Sequence, residues 1–214
     1  LVGLVMAVSF VVPMACLLRG LVAEKEGRLR EAMLMMGLRP AALHAAWAAA
    51  YALEFAAVAA LVSAELAPSA FPGAAPSLVA ALFGAFAAST LAFSFALAPL
   101  FRSARVASVA GPLVFLVAQQ LSALFLDRST GVLAQGSAAV KLAASVVPPL
   151  GFTLGANLLC LYEGAGRGVT WANAWEGDYS IGACLCALAA GVPVFACIAA
   201  ALEWAVPGEY GPAP

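Results

Sequence analysis

Residues Ser77–Phe101 read SLVAALFGAFAASTLAFSFALAPLF and contain no charged side chain. A helix needs ~20 mostly apolar residues to cross the hydrocarbon core of a bilayer, so this run is long enough to span. Composition says which solvent it meets. Apolar residues make up 64% of the 214-residue chain and charged residues only 10%, and the mean hydropathy is +1.01. Soluble domains are roughly half apolar and about a quarter charged. There are too few polar side chains here to coat a soluble core, so lipid is the expected solvent for much of the surface.

Outward from this run, Leu1–Leu18, Ala41–Ser63, Val106–Leu126 and Ile181–Leu202 read in the same way. A sixth run, Leu142–Leu161, is long enough but broken by Pro148-Pro149, Gly151, Gly155 and Asn157. Adjacent prolines remove two backbone donors and turn the preceding residue away from helix. At membrane depth such a break is tolerated only inside protein or along a cavity. The sixth run is therefore expected to be two short helices that dip into the membrane and return. Gly151-x-x-x-Gly155 offers it a small-residue contact face, a weak signal in a glycine-rich chain.

Lys and Arg set the orientation. The connection after the first run carries Arg19, Lys25, Arg28, Arg30 and Arg39, and the one after the third carries Arg102 and Arg105. The segment Ala64–Pro76 carries none, and Arg128, Lys141 and Arg167 are scattered before the last run. The first and third connections are thus expected in the cytosol. With five spans the chain also leaves on that side at Pro214; were the broken run to span, it would leave outside. Starting at Leu1 inside an apolar run, without a basic leader or a cleavage site, the chain reads as a piece of something longer rather than as a signal peptide and mature domain.

Several chemistries are excluded by what is missing. Cys16, Cys184, Cys186 and Cys197 lie in apolar runs, and a single His leaves no plausible metal set. There is no G-x-x-x-x-G-K-[ST] for phosphate, no basic patch with interleaved aromatics for nucleic acid, and no nucleophile triad.

The first connection, Leu21–Pro40, reads LVAEKEGRLREAMLMMGLRP. On one continuous helix, Leu29, Ala32, Met33 and Met36 share an apolar face. Glu24 and Arg28, and Glu26 and Arg30, sit four apart with the acid first, the favourable order, worth about 0.2–0.5 kcal/mol each. Gly37 suits the helix end and Pro40 the start of the next span. This periodicity fits an amphipathic helix at the cytosolic face. Periodicity alone favours an interfacial anchor; the sharper alternative is a coupling element docked on a cytosolic motor, for which adaptable methionines suit the contact.

Glu24-Lys25-Glu26, Arg28, Arg30-Glu31, Met33 and Met36-Gly37-Leu38 resemble the E-K-E-x-R-x-[KR]-E-x-M-x-x-M-G-L signature of the transmembrane domains of A-subfamily ATP-binding-cassette transporters. Tyr162-Glu163, Gly168, Trp171 and Asn173 resemble the family's Y-E-x(4)-G-[IV]-x-W-x-N stretch. Val206-Pro207-Gly208-Glu209-Tyr210-Gly211 resembles its [FV]-P-G-x-Y-G stretch, with Val206 in place of the commoner Phe. The resemblance covers essentially the whole chain. It implies an all-α membrane protein: the second to sixth spans of a half-transporter, a cytosolic coupling helix, and a re-entrant helical hairpin at the outer face. The first span and an extracellular domain would precede Leu1, and a nucleotide-binding domain would follow Pro214. It implies ATP-driven movement of lipids or sterols, with ATP and Mg held in the nucleotide-binding domain and no cofactor or catalytic residue in this segment. The implied partners are the bilayer, a lipid substrate, the nucleotide-binding domain and a second half-transporter. Coupling would fall to Glu24, Lys25, Glu26, Arg28, Arg30, Glu31, Met33, Met36 and Gly37. Without the resemblance, an ATP-independent channel or secondary transporter, or a membrane scaffold, fits the same hydropathy.

Glu54 is the acid well inside a span, where a carboxylate costs roughly 2.5–3.5 kcal/mol to insert. It either lines a translocation route or is protonated or hydrogen-bonded to a neighbouring helix. His44 and Trp47, near a cytosolic helix end, read as interface anchors. Tyr162, Trp171, Trp175 and Tyr179 read as an outer aromatic belt, and Trp204 and Tyr210 as an inner one. Gln119 and Gln120 are expected to hydrogen-bond between helices.

The orientation is checked by single cysteines in a cysteine-free form of the complete protein. Ser69→Cys and Ser129→Cys should react with a membrane-impermeant reagent added outside, and Gly27→Cys should not. Outside labelling at Gly27 would reverse the orientation.

Overall fold

The computed structural model describes residues 6–37, 39–125 and 136–205. Residues 1–5, Leu38, Arg128, Ser129 and the motif at 206–211, with Tyr210, lie outside them. Among the described residues from Val11 on, eight α-helices follow in order, with two short 3-10 turns between them. They are α1 (Val11–Glu26), α2 (Leu29–Met35), α3 (Pro40–Ser69), α4 (Pro76–Leu97), α5 (Ala104–Gln120), α6 (Ala138–Ala144), α7 (Pro148–Gly164) and α8 (Ile181–Ala205). Among the described residues there is no strand. Five stretches are long and apolar enough to cross a membrane: Met6–Glu26, Ala42–Ser69, Pro76–Leu100, Ala104–Leu124 and Ile181–Ala205. The expected five-span, all-α membrane architecture is observed.

Proline sets several boundaries. Pro40, Pro76 and Pro148 each stand in the first turn of a helix. There the missing N–H costs nothing, because the first amides of a helix have no intrahelical partner. The same geometry divides the broken run: α6 ends at Ala144 and Val147 is extended before Pro148 opens α7.

α4 is the most buried of the spans and α3 the least. Phenylalanines from several helices meet against α4. Phe86 stacks on Phe152 of α7, with centroids 4.2 Å apart and planes at 20°. It also meets Phe10 edge-on at 4.8 Å and Phe115 of α5 at 6.1 Å. Phe83 meets Phe152 at 5.0 Å, and Phe10 reaches Phe55 of α3 at 6.0 Å. In lipid there is little hydrophobic drive between helices, so close packing and hydrogen bonds hold the bundle. Small residues permit that approach. A Cβ at Gly151 would strike the Ser145 carbonyl, and one at Gly155 would press on Cys184 Sγ and Leu82.

Two boundaries differ from the sequence reading. The helix after Pro40 continues through Glu65 to Ser69, beyond the expected Ser63, so the connection to α4 is shorter. The amphipathic segment is not one helix. α1 runs on to Glu26 and caps at Gly27, whose N–H bonds the Ala23 carbonyl. Arg28 then adopts φ +54°, and α2 restarts at Leu29. Glycine is a poor helix former and a left-handed residue is a common helix terminator, so the break is local chemistry. Glu24 and Arg28, and Glu26 and Arg30, therefore do not share one continuous helix.

The phenylalanine cluster is checked by Phe86→Ala. It should lower stability by about 3–5 kcal/mol, the usual range for emptying an aromatic core position. Leu61→Ala, at an exposed position on α3, should change little. Equal thermal midpoints in detergent for both variants would show that the cluster does not hold the bundle.

Candidate functional site

Described contacts gather the polar residues of the signature at the Lys/Arg-rich end of the bundle. In the last turn of α1, Glu24 Oε2 accepts from Trp47 Nε1 of α3 at 2.8 Å. Lys25 Nζ donates to the Pro99 carbonyl at 3.2 Å, in the turn Ala98–Leu100 that closes α4. Glu26 Oε2 accepts the backbone N–H of Ala104, the first residue of α5, at 2.8 Å. Trp47 stacks on Tyr51 with centroids 5.6 Å apart, and it lies so close over Gly20 that a Cβ there would meet the indole. His44 Nε2 and Glu203 Oε1, 2.9 Å apart, join the start of α3 to the end of α8. His44 and Trp47, expected as interface anchors, thus make specific contacts between helices.

Beyond Arg28 the signature changes character. α2 carries Arg30, Glu31, Ala32 and Met33, and Met36 and Gly37 follow it, Gly37 with φ +94°. The side chains of Arg30 and Glu31 lie outside the described residues. Leu29, Met35 and Met36 are exposed, Met35 at 84% and Met36 at 79%. The structure thus separates the candidate coupling residues: Glu24, Lys25 and Glu26 turn to other spans, Met33 is half-buried, and Leu29, Met35 and Met36 are exposed. Glu54 lies apart from both, exposed on the outward side of α3 next to buried Phe55.

The opposite end accounts for Glu163, Gly168, Trp171 and Asn173 of the second motif. Glu163 Oε1 accepts the N–H of Gly73 at 2.9 Å, and the Val169 carbonyl accepts the N–H of Ala75 at 2.7 Å. Trp171 Nε1 donates to Ser77 Oγ at 2.9 Å. Asn173 accepts from the N–H of Thr170 at 2.7 Å and donates to the Gly168 carbonyl at 3.0 Å. Gly168 has φ +54°, and a Cβ on it would meet the Gly73 carbonyl, so only glycine fits. Tyr179, expected in an aromatic belt, is mostly turned inward. Its hydroxyl shares a 2.7 Å hydrogen bond with Ser145, and burial pushes the phenol well above its ordinary pKa. Among the described residues no cluster of His, Cys, Asp and Glu could hold a metal ion.

Sequence reading missed the roles of Pro99, Ala104, Gly73 and Ser77. Pro99 and Ala104 are backbone partners at helix ends, and side-chain chemistry does not announce them. At α5 the sequence even points the other way: Ser103 is a favoured N-cap residue, yet it makes no side-chain capping bond.

The chain matches the family described as ABC-2 family transporter protein over residues 1–201. It is 28% identical over 214 residues to ATP-binding cassette sub-family A member 2 of Rattus norvegicus and of Homo sapiens, covering 97% of this chain and 9% of those proteins. It is 30% identical over 215 residues to ATP-binding cassette sub-family A member 7 of Mus musculus, covering 97% of this chain and 10% of that protein. The chain therefore spans about a tenth of the length of these relatives. With the match running through all five spans, this integral, multi-pass membrane chain belongs to the ABC-2 family of transporter proteins, and within it is similar to the membrane domains of the A subfamily.

Proposed function

We propose that this chain is the membrane part of an ATP-driven transporter that moves lipids or sterols, and that α2 docks it on a nucleotide-binding domain at the cytosolic face. The observation that carries this reading is the exposed apolar surface of α2. Leu29, Met35 and Met36 are uncovered at the Lys/Arg-rich end of the bundle. A folded intracellular partner would bury such residues, and methionine adapts its shape to the surface it meets. Similarity to proteins whose names specify an ATP-binding cassette supplies the class of that partner. ATP and Mg would be held there, a second half-transporter would complete the pathway, and hydrolysis would take place outside this segment. The lipid substrate follows from the family resemblance.

The break at Val147 fits a hairpin dipping in from the outer face. Glu163, at the far end of α7, bonds Gly73 in the outer connection, and Phe152, near its start, lies against the middle of α4. Glu54 is proposed to face the translocation route from α3. In the assembled transporter its exposed carboxylate needs water or a polar partner, because lipid alone would penalise the charge.

Leu29→Asp/Met36→Asp in the complete transporter should lower ATP-dependent lipid flux about tenfold with membrane level unchanged, the size expected when one anchoring contact of an interface is lost. Wild-type flux and ATPase in that variant would reduce α2 to a surface anchor. Glu54→Gln should lower flux at unchanged membrane level; a fall in abundance with normal flux per molecule would make Glu54 structural.

A further inference from the structure

Three adjacent charged residues at the end of α1 each reach a different span: Glu24 the indole of Trp47 on α3, Lys25 the Pro99 carbonyl, and Glu26 the Ala104 amide. The signs of the last two match the backbone ends they meet. The end of a helix presents carbonyls without intrahelical partners and a partial negative charge; the start of a helix presents amides and a partial positive charge. Lys25 places a cation on the former and Glu26 an anion on the latter. Only residues 101–103 separate these two ends, so one dipeptide of α1 holds both sides of the connection between α4 and α5. Glu26 takes the amide of Ala104, one of the first-turn donors that have no intrahelical partner, and Ser103 adds no side-chain cap of its own.

The helix then stops. Gly27 and Arg28 part the clamped turn from α2, with Arg28 at φ +54°. The two halves of the signature thus lie on opposite sides of a backbone break, the first bonded into the bundle and the second carrying exposed Leu29, Met35 and Met36. We propose that Glu24, Lys25 and Glu26 are positioning residues. They form a charge-matched clamp that ties α1 to α3, α4 and α5, so that displacement of α2 moves these spans as one body. This rests on the reading of α2 as the docking helix, and it takes the three charges out of the docking surface.

The test uses the complete transporter reconstituted in lipid, with the double swap Lys25→Glu/Glu26→Lys. The swap keeps net charge and surface polarity and puts each charge on the wrong helix end. Two quantities are read: backbone amide exchange at residues 104–108, and lipid moved per ATP hydrolysed. Exchange should quicken about tenfold, as for loss of a charge-assisted hydrogen bond. Lipid moved per ATP should fall about fivefold, the upper range for a misplaced charge at a helix end. Lys25→Arg, which keeps a cation on the Pro99 carbonyl, should retain wild-type values of both. If the swap does not reach the membrane, Glu26→Gln keeps an acceptor for Ala104, loses only the charge, and should shift both readings about twofold. Wild-type exchange in either variant overturns the clamp. Faster exchange with an unchanged lipid-to-ATP ratio overturns the positioning role and leaves plain helix caps. If the wild-type protein hydrolyses ATP without moving lipid, the proposed function fails on its own, and the clamp stands or falls on the exchange measurement.

Discussion

The stack of Phe152 on Phe86 is the contact around which the bundle is arranged. A chain that stops being helical within a bilayer exposes amides and carbonyls that lipid cannot satisfy. The bend at Ser145–Val147 is walled in by protein. Ser145 Oγ bonds its own helix at the Lys141 carbonyl and shares a hydrogen bond with Tyr179, and the Val146 carbonyl lies against Gly191. The aromatic stack fixes α7 at the depth where these partners exist. Phe10 and Phe115 on the other side of Phe86 bring the N-terminal segment and α5 into the same cluster. The broken segment and the intact spans are therefore one packing problem, centred on α4.

Apolar packing sets which helices are neighbours but is permissive about sliding, because ring against ring offers many similar registers. Polar ties at the two ends remove that freedom. At one end, Glu163, Val169 and Trp171 hold the start of α4 and the connection before it. At the other, Lys25 holds the turn that closes α4, and Glu26 holds the start of α5. α4 is thus fixed at both ends and packed along its length, which agrees with its being the most buried span. α3 is tied near its start through His44 and Trp47 but is the least buried span.

Hydropathy made the spans legible, because a bilayer imposes a length and apolarity that few other environments demand. Ala42–Ser69 and Ile181–Ala205 lie close to where the apolar runs place them. The proline rule likewise located the start of α7. The break at Gly27 was harder to see. Periodicity through Leu29, Ala32, Met33 and Met36 is sound within one turn of helix or two, but it says nothing about whether that helix is continuous with the one before. Charge spacing misled in the same way. Glu24 and Arg28 are four apart, yet Glu24 has an indole N–H from α3 within reach, and Glu26 an unclaimed amide at the start of α5. A bond to a helix terminus or a buried ring outweighs an exposed i,i+4 pair, whose worth is a few tenths of a kcal/mol. Such partners are a property of the assembled bundle and cannot be read from one segment.

The two polar stretches of the sequence therefore do different physical work from what their composition suggests. A run such as Glu24-Lys25-Glu26 invites reading as a solvated face, because charges usually seek water. In a membrane bundle the exposed ends of helices are themselves charged objects, with a defined sign at each end. An adjacent acid and base can satisfy a neighbouring start and end at once, provided the two lie close together, as they do across the short turn between α4 and α5. That requirement fixes the order of Lys25 and Glu26 as well as their presence. It also accounts for the glycine that follows: once the last turn of α1 is committed to its neighbours, a helix continuing without interruption would hold α2 rigidly along the same axis. The break at Gly27 and Arg28 lets α2 leave in its own direction, with Met35 and Met36 exposed.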